Sequence, residues 1–223
     1  MRARTPLSRE RIIEAAAAVA DEGGLSAVSM RNVGRKLGVE AMSLYHHVAD
    51  KEALIDSLTD WVFAQVDLPA MTDPWRSAMA SRAASARRVL SAHPWALGMI
   101  ESRTNPGPAT LRQHEAVLGN LRRAGFSLRL AGHTFSILDA YVFGFVLTEV
   151  HLPFEDDSGA KEFVGNLDLD ATAFPYLSEF ISDRVMGGSY NYGDEFDDGL
   201  QMILDAIEAR LAAEASQRGV TGA

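Results

Sequence analysis

The sequence predicts an all-α protein built from two helical domains. Apolar residues recur every three or four positions through most of the 223 residues, which is the spacing that buries one face of a helix. The strict alternation expected of strands is almost absent, and Ser, Asp, Gly and Pro stand where helices would begin and end. A joint near residues 67–73 separates a small domain, expected over residues 6–66, from a larger one over residues 74–216.

The small domain is expected to contain four short helices. Ser8, Ser29 and Asp50 each precede an apolar stretch, where their side chains can accept hydrogen bonds from the first N–H groups of a helix. Gly23-Gly24 and Gly38 end the first two stretches, since glycine adopts the left-handed conformation of a C-terminal cap at little cost. The helices are therefore predicted near residues 9–23, 30–37, 41–47 and 51–65.

The larger domain follows a joint that contains Pro69 and is followed by Pro74. Helical spacing predicts six further helices, near residues 75–91, 95–102, 109–124, 128–150, 175–186 and 194–215. The helix at 128–150 is apolar on nearly all sides, so it must be buried on most of them. The stretch 155–170 is acidic and rich in Gly and Ser, and a mobile loop is expected there.

Composition favours a cytoplasmic protein without a membrane partner. The chain contains no cysteine, which excludes disulfides and thiolate metal sites and suits a reducing compartment. Arg2 and Arg4 are not followed by an apolar segment, so no secretory signal is expected. The most apolar stretch, residues 135–147, is interrupted by Asp139 and is shorter than the roughly 18 residues of a membrane span.

The net charge of −9 would by itself argue against a nucleic-acid partner, because phosphate binding favours a basic surface. The charge is, however, unevenly distributed. Residues 1–51 hold eight Lys and Arg against six Asp and Glu, a net of +2, so the rest of the chain carries −11. This asymmetry is either a solvated surface without function or a mildly basic head joined to an acidic body.

Residues 29–48, SMRNVGRKLGVEAMSLYHHV, have the spacing of a helix-turn-helix with Gly38 in the turn. The second helix of such a unit lies in the major groove, with its N-terminal residues at the base edges. Base contacts are therefore predicted for Glu40, Ala41, Met42 and Ser43. Phosphate contacts are predicted for Arg31, Tyr45, His47 and Lys51, and Met30 and His46 complete the predicted DNA-binding set.

A longer pattern surrounds this motif. It comprises Ile12-Ile13-Glu14-Ala15-Ala16, Gly23, Ser29-Met30-Arg31-Asn32-Val33, Leu37-Gly38-Val39 and Leu44-Tyr45-His46-His47-Val48-Ala49-Asp50-Lys51-Glu52-Ala53-Leu54. This pattern resembles the DNA-binding domain of the TetR (tetracycline-repressor) family of bacterial transcription regulators. The resemblance implies a protein that binds operator DNA through the helix-turn-helix and, as is usual in this family, represses transcription.

The second half of the chain carries further motifs. They are Trp75, the region Ser91 to His93, Gly125-Phe126-Ser127, Gly144-x-Val146-Leu147 and Phe196-x-x-Gly199-Leu200-x-x-Ile203-x-x-x-Ile207-Glu208. These motifs resemble the regulatory domain of the tetracycline repressors within the family. The resemblance implies a two-fold dimer in which the helices at 128–150 and 194–215 pack as a four-helix bundle. Independently, these two apolar helices need a partner surface.

The resemblance also implies a cavity for a small organic effector in the larger domain. Its lining, carried over position by position, is Arg82, Ile100, Arg103, His114, Val117, Phe135 and Asp139. Ile100 stands where the tetracycline repressors have a metal-binding histidine, and Arg82 and Ala86 replace an asparagine and a phenylalanine. A mostly apolar effector with one or two polar groups is therefore expected, rather than a magnesium–tetracycline complex.

Four polar residues leave alternatives open. Asp139 interrupts the apolar helix, where a carboxylate without partners is costly, so it either hydrogen-bonds across the dimer or faces the ligand. His93 either ends a helix, near the C-terminal dipole, or contacts the ligand. His46 and His47 project about 100° apart on a helix and cannot chelate a metal together, which leaves DNA contact or core packing.

No catalytic machinery is visible in the sequence. Gly-x-Ser-x-Gly, a phosphate-binding glycine loop and a cysteine nucleophile are all missing, and Leu118 stands where His114-Glu115 would need a second zinc-binding histidine. Neither an enzyme, a cofactor nor a metal site is expected. The leading hypothesis is a ligand-responsive regulator that binds near-palindromic operator DNA as a homodimer. The alternative is a helical protein that binds or converts a small molecule and uses its N-terminal hairpin as architecture.

Overall fold

Helices account for all the regular structure in the part of the chain that the structure describes. The structure is a computed structural model and describes residues 6–100 and 106–221, with side-chain environments for all of these except Ile100 and residues 218–221. Its helices are α1 Arg9–Gly23, α2 Met30–Leu37, α3 Ala41–Leu44, α4 Lys51–Phe63, α5 Trp75–Ala92, α6 Leu97–Ile100, α7 Pro108–Arg123, α8 Leu128–Glu149, α9 Asp157–Gly165, α10 Pro175–Phe180 and α11 Glu195–Thr221. The all-α prediction is confirmed.

The helix caps predicted for the small domain are confirmed. The side chains of Ser8, Ser29 and Asp50 each accept a hydrogen bond from the backbone N–H three residues later, at 3.4, 3.2 and 2.8 Å. Each of these bonds satisfies an N–H group that a helix start leaves unpaired, which stabilises the helix by about 1 kcal/mol. Gly38 ends α2 in the left-handed conformation, with φ of 68°.

The third helix is shorter than predicted. It ends at Leu44, whereas the sequence favoured a helix to about residue 47. The Leu44 carbonyl accepts from the N–H groups of His47 at 2.9 Å and Val48 at 3.0 Å, which closes the helix with a tight turn. Leu44 and Val48 are both buried, as the sequence predicted, so core packing fixes this turn.

The prediction of a mobile loop at residues 155–170 is wrong over the central part of this stretch, which forms helix α9. Asp156 caps this helix by accepting from the Gly159 N–H at 2.8 Å, and this bond holds the pKa of Asp156 below its usual range. Lys161 pairs with Asp157 one turn earlier at 2.9 Å, and Ala160 is fully buried. The acidic residues stand at the helix start, where they stabilise a helix instead of preventing one.

The end of the chain also differs from the prediction. The predicted helix at 175–186 divides into α10 and a wider π-type turn, Ile181–Met186. The last helix, α11, is longer than expected and runs from Glu195 to Thr221.

Helix α8 lies at the centre of the larger domain and packs against α5, α7 and α11. At 22 residues it is longer than the apolar stretch noted in the sequence, and by length and composition alone it could cross a membrane. Leu138, Val142 and Val146 are nevertheless buried against the neighbouring helices, and Asp139 in its middle pairs with an arginine of α5. These contacts are those of a core helix.

Helix α4 connects the two halves of the molecule. It contacts α1 in the small domain and α7 in the larger one. One apolar cluster extends through it, from Ile12 on α1 through Leu58 on α4 to Leu204 on α11. Because α4 is packed on both sides, a displacement of the helices of the larger domain can reach the small domain through it.

Candidate nucleic-acid interface and ligand cavity

Helices α2 and α3 meet at a close contact around Gly34. A Cβ atom at this position would lie 2.9 Å from the Val39 carbonyl oxygen and 3.3 Å from the Ala41 Cα. The Val39 N–H donates to the Gly34 carbonyl at 2.9 Å, which holds the turn against α2. The sequence interpretation did not identify Gly34, although a glycine within a helical stretch is a signal of close packing.

Helix α3 presents its first residues to solvent. Glu40 is exposed, Ala41 and Ser43 are half-buried, and the Met42 side chain is 73% exposed. Leu44 on the opposite side is fully buried and anchors the helix. The four predicted base-contacting residues therefore lie on one accessible edge of the small domain.

Five of the six remaining predicted DNA-binding residues are exposed around α3. Arg31 lies in the first turn of α2, Lys51 begins α4, and the other three follow α3 in the chain, namely Tyr45, His46 and His47. Met30 is different, because its side chain is 7% exposed and belongs to the core. A side-chain contact from Met30 to DNA is therefore excluded in this structure, and the prediction is corrected for it. Because His46 and His47 are exposed, core packing does not apply to them, and DNA contact stays a prediction.

A cavity of about 150 Å³ lies between α4, α5, α7 and α8. Its described lining residues are Asp56, Thr59, Phe63, Arg82, Pro106, Gly107, Thr110, Gln113, His114, Phe135, Asp139 and Phe143. Four of the seven predicted ligand-binding residues are thus brought together, namely Arg82, His114, Phe135 and Asp139. Val117 is fully buried in the core and is not among the lining residues, so that prediction is corrected. The side chain of Ile100 and all of Arg103 lie outside the described residues.

An ion pair crosses the cavity wall. Arg82 Nη1 lies 2.7 Å from Asp139 Oδ1, and their side chains are 5% and 17% exposed. Within one chain the carboxylate of Asp139 faces the cavity and pairs with α5, and its contact with a ligand stays a prediction. The sequence offered no signal for the pairing, because the two residues lie 57 positions apart.

The buried side chain of Gln113 connects this ion pair to the end of α4. Its Oε1 accepts from Arg82 Nε at 3.3 Å, and its Nε2 donates to the carbonyls of Phe63 at 3.3 Å and Val66 at 2.6 Å. The sequence interpretation missed Gln113, because only the tertiary structure shows that this amide on α7 is buried. A change at the ion pair therefore reaches the helix that leads to the small domain through two hydrogen-bonded side chains.

Aromatic rings complete the wall around Arg82. Its guanidinium lies 5.6 Å from the centre of the Phe135 ring, and the His114 ring lies 4.7 Å from the same ring. His114 Nδ1 is 2.7 Å from the Thr110 carbonyl oxygen, so this nitrogen carries the proton when the imidazole is neutral. The other ring nitrogen is then an acceptor.

Two carboxylates attach the small domain to the larger one. Asp60 on α4 accepts from the backbone N–H groups of Ala109 at 2.7 Å and Thr110 at 3.2 Å, and thereby caps α7. Asp21 Oδ1 on α1 accepts from Trp95 Nε1 at 2.6 Å and lies 2.8 Å from His93 Nδ1. These contacts join the small domain, which carries the predicted base-reading helix α3 and is hereafter the reading domain, directly to helices next to the cavity.

His93 marks the end of α5. Its backbone N–H donates to the Val89 carbonyl at 3.1 Å, and its ring packs against the Trp61 ring with 5.1 Å between the ring centres. His93 does not line the cavity described above. The helix-end interpretation of this histidine therefore agrees with the structure better than ligand contact does.

The outer faces of α8 and α11 form an open groove of about 690 Å³. Ile137, Leu147 and Met202 on these two helices are 48%, 52% and 73% exposed. The opposite face of α11 is buried within the chain through Leu200 and Leu204. Ile137 lines this groove, and the two helices that the sequence assigned to a dimer thus present large apolar side chains to solvent.

Two sequence profiles match the chain. "Bacterial regulatory proteins, tetR family" matches residues 12–58, and "Tetracyclin repressor-like, C-terminal domain" matches residues 68–211. An HTH-type transcriptional regulator of Saccharopolyspora erythraea is 31% identical over 211 residues, which cover 93% of this chain and 87% of that protein. The class A tetracycline repressor protein from transposon 1721 of Escherichia coli is 30% identical over 209 residues, covering 92% and 93%.

A solved structure agrees with these sequence matches. The Streptomyces coelicolor TetR family protein ActR, in complex with actinorhodin, superposes with a TM-score of 0.75 at 27% identity, covering 93% of this chain and 99% of that one. The two profiles together match both the reading domain and the domain that holds the cavity. The chain therefore belongs to the TetR family of bacterial transcriptional regulators.

Proposed function

We propose that this protein is a cytoplasmic repressor that binds a near-palindromic operator as a homodimer and is released by a small organic effector. The observation that carries the proposal is the chain of contacts from the cavity to α4, which packs on α1 of the small domain. Gln113 links the cavity to the end of α4, and Asp60 on α4 caps α7 beside the cavity. An effector that displaces these groups changes the placement of the reading domains and thereby the affinity for DNA.

In the proposed complex the first residues of α3 lie in the major groove. The exposed edge formed by Glu40, Ala41, Met42 and Ser43 reads bases, while Arg31, Lys51 and the residues after α3 contact phosphates. With one reading domain per chain, two chains place their α3 helices about one DNA turn, roughly 34 to 36 Å, apart. The exposed apolar faces of α8 and α11 support such a dimer.

Selection of binding sites from random duplex DNA, followed by a gel-shift assay, tests this function. A regulator enriches a two-fold symmetric site and retains it at physiological salt. The alternative, a helical protein that binds or converts a small molecule, enriches no sequence. DNA from the region upstream of the gene itself is the second substrate of the same assay.

Lys51→Ala is expected to weaken binding to every DNA sequence and to reduce the salt dependence, log Kd against log salt, by about one unit. The reason is that Lys51 is exposed at the start of α4, where we assign it a phosphate contact, and phosphate contacts carry no base sequence information. Met42→Ala should instead change which sites are preferred. Lys161→Ala, a lysine on α9, serves as the control and should leave both quantities unchanged. Equal losses on all sequences for both Lys51→Ala and Met42→Ala would contradict the assigned roles.

Magnesium–tetracycline is expected neither to stabilise the protein nor to release it from its operator. The cavity carries Arg82 and Asp139 in place of an amide-lined drug site, and Ile100 offers no lone pair to a metal. Thermal unfolding and gel shift with and without magnesium–tetracycline measure both effects, with the class A tetracycline repressor as the positive control. Stabilisation at micromolar drug together with loss of DNA binding would show that the cavity is misinterpreted.

A further inference from the structure

The guanidinium of Arg82 has donors left over. Among the described residues it gives one N–H to Gln113 and one to Asp139, although arginine has five N–H groups. The residue is 4% exposed and lines the cavity, and arginine does not lose its proton inside proteins. The remaining N–H groups of Arg82 have no acceptor among the described residues, so a molecule in the cavity that brings an acceptor can bind them.

The charge of the wall argues against an anionic molecule. The guanidinium of Arg82 on the cavity wall is already paired with the carboxylate of Asp139. A ligand carboxylate at the remaining N–H groups of Arg82 would lie beside Asp139, which is 2.7 Å from the same guanidinium, and the two like charges would repel each other. The acceptor that suits this site is therefore uncharged, such as a carbonyl oxygen.

Asp139 adds a second polar requirement. Its Oδ1 accepts from Arg82, whereas no hydrogen bond reaches its Oδ2 from the described residues. A carboxylate oxygen accepts and cannot donate, so its partner must be a donor such as N–H or O–H. Because Arg82 and Asp139 are adjacent, the donor and the acceptor of the ligand must be adjacent too.

The walls and the volume of the cavity determine the shape and the size of the ligand. Phe63, Phe135 and Phe143 line it, and its volume is about 150 Å³. A cavity of about this size in another protein holds a single benzene ring, so one or two flat rings fit with little rearrangement. We propose that the effector is an uncharged, flat aromatic molecule of one or two rings whose adjacent acceptor and donor bind Arg82 and Asp139. This inference rests on the proposed effector function.

Quinolin-2(1H)-one is a suitable probe because its carbonyl and N–H lie side by side on two fused rings. Two isomers of equal volume separate the donor from the shape, since 3-methylquinolin-2(1H)-one keeps the N–H and 1-methylquinolin-2(1H)-one lacks it. Calorimetry or ligand-observed NMR on the full chain should show binding of the parent and the 3-methyl isomer. The 1-methyl isomer should bind at least about fivefold more weakly, since it leaves Asp139 without its donor. Quinoline-2-carboxylate should not bind detectably.

Three variants test whether the probe binds at Arg82 and Asp139. Asp139→Asn, and a double variant Arg82→Met with Asp139→Leu, should both lose binding, and the double variant also covers the case in which Arg82→Met alone does not fold. Arg88→Met changes an exposed arginine on the same helix and should retain the wild-type affinity.

Tighter binding of the carboxylate, equal binding of the two methyl isomers, or no binding of any lactam at millimolar concentration would overturn the proposed ligand class. None of these measurements involves DNA, so the class can be tested separately from the function. If the lactam binds the cavity while the operator complex persists, the ligand class stands and the proposed release mechanism fails.

Discussion

Replacing Arg82 with methionine is expected to lower the free energy of unfolding by about 3–5 kcal/mol. The substitution leaves Asp139 without its cation in a site where the carboxylate is 17% exposed, and it removes the donor to Gln113. Urea unfolding followed by circular dichroism measures the effect. Arg88→Met is the matched control, because the ion pair of Arg88 with Asp67 is exposed on both sides and should contribute no more than about 1 kcal/mol.

The double variant Arg82→Met with Asp139→Leu separates the ion pair from the packing. Replacing both members of a buried pair by apolar residues of similar size is often neutral, so most of the lost stability should return. A single Arg82→Met variant as stable as the wild type would mean that Asp139 finds water or another partner. If the double variant is no more stable than Arg82→Met, the loss comes from packing around Arg82 and not from an unpaired charge.

The sequence was sufficient for the parts of the molecule that local chemistry decides. Ser8, Ser29 and Asp50 cap their helices because a cap needs only a side-chain oxygen three residues before an N–H group. Gly38 forms the predicted turn for an equally local reason, its positive φ. The exposed edge of α3 followed from the same short-range pattern.

Longer-range features could not be predicted from the sequence. The pair of Arg82 and Asp139 and the α7 cap by Asp60 join residues about fifty positions apart, so only the tertiary structure brings them together. Met30 is a related case, since its burial within the apolar cluster depends on how α2 packs in the tertiary structure. Helix α9 was missed because its acidic composition is typical of a loop, whereas the position of Asp156 and Asp157 at the helix start favours a helix.

The family resemblance predicted which positions line the cavity, whereas the chemistry of the lining depends on the residues that this chain has there. Arg82 and Asp139 were both predicted to face a ligand, but their mutual contact makes the pair nearly neutral instead of leaving two independent charges. Gln113 then gives this pair a route to the carbonyls that end α4. In the proposed mechanism the same three residues select the ligand and transmit its presence to the small domain.

Ile137→Arg is expected to convert the proposed dimer into a monomer and to weaken operator binding by about 100-fold or more. In a single chain Ile137 is 48% exposed on α8, so the substitution should leave helicity and stability of the monomer intact. In a dimer, however, it buries a charge within an apolar contact, and the groove already carries two arginines, Arg129 and Arg210, against one carboxylate, Glu214.

Light scattering at micromolar protein and gel shift on the selected operator measure the two effects of this substitution. Leu111→Arg is the control, since Leu111 is 55% exposed on α7 and lies outside the groove formed by α8 and α11. The loss of affinity arises because two linked reading domains bind adjacent half-sites as one unit, whereas a monomer binds each half-site independently. A dimeric Ile137→Arg protein with wild-type operator affinity would place the dimer contact elsewhere on the molecule. A monomer that binds the full operator as tightly as the wild type would contradict the two-fold mode of recognition itself.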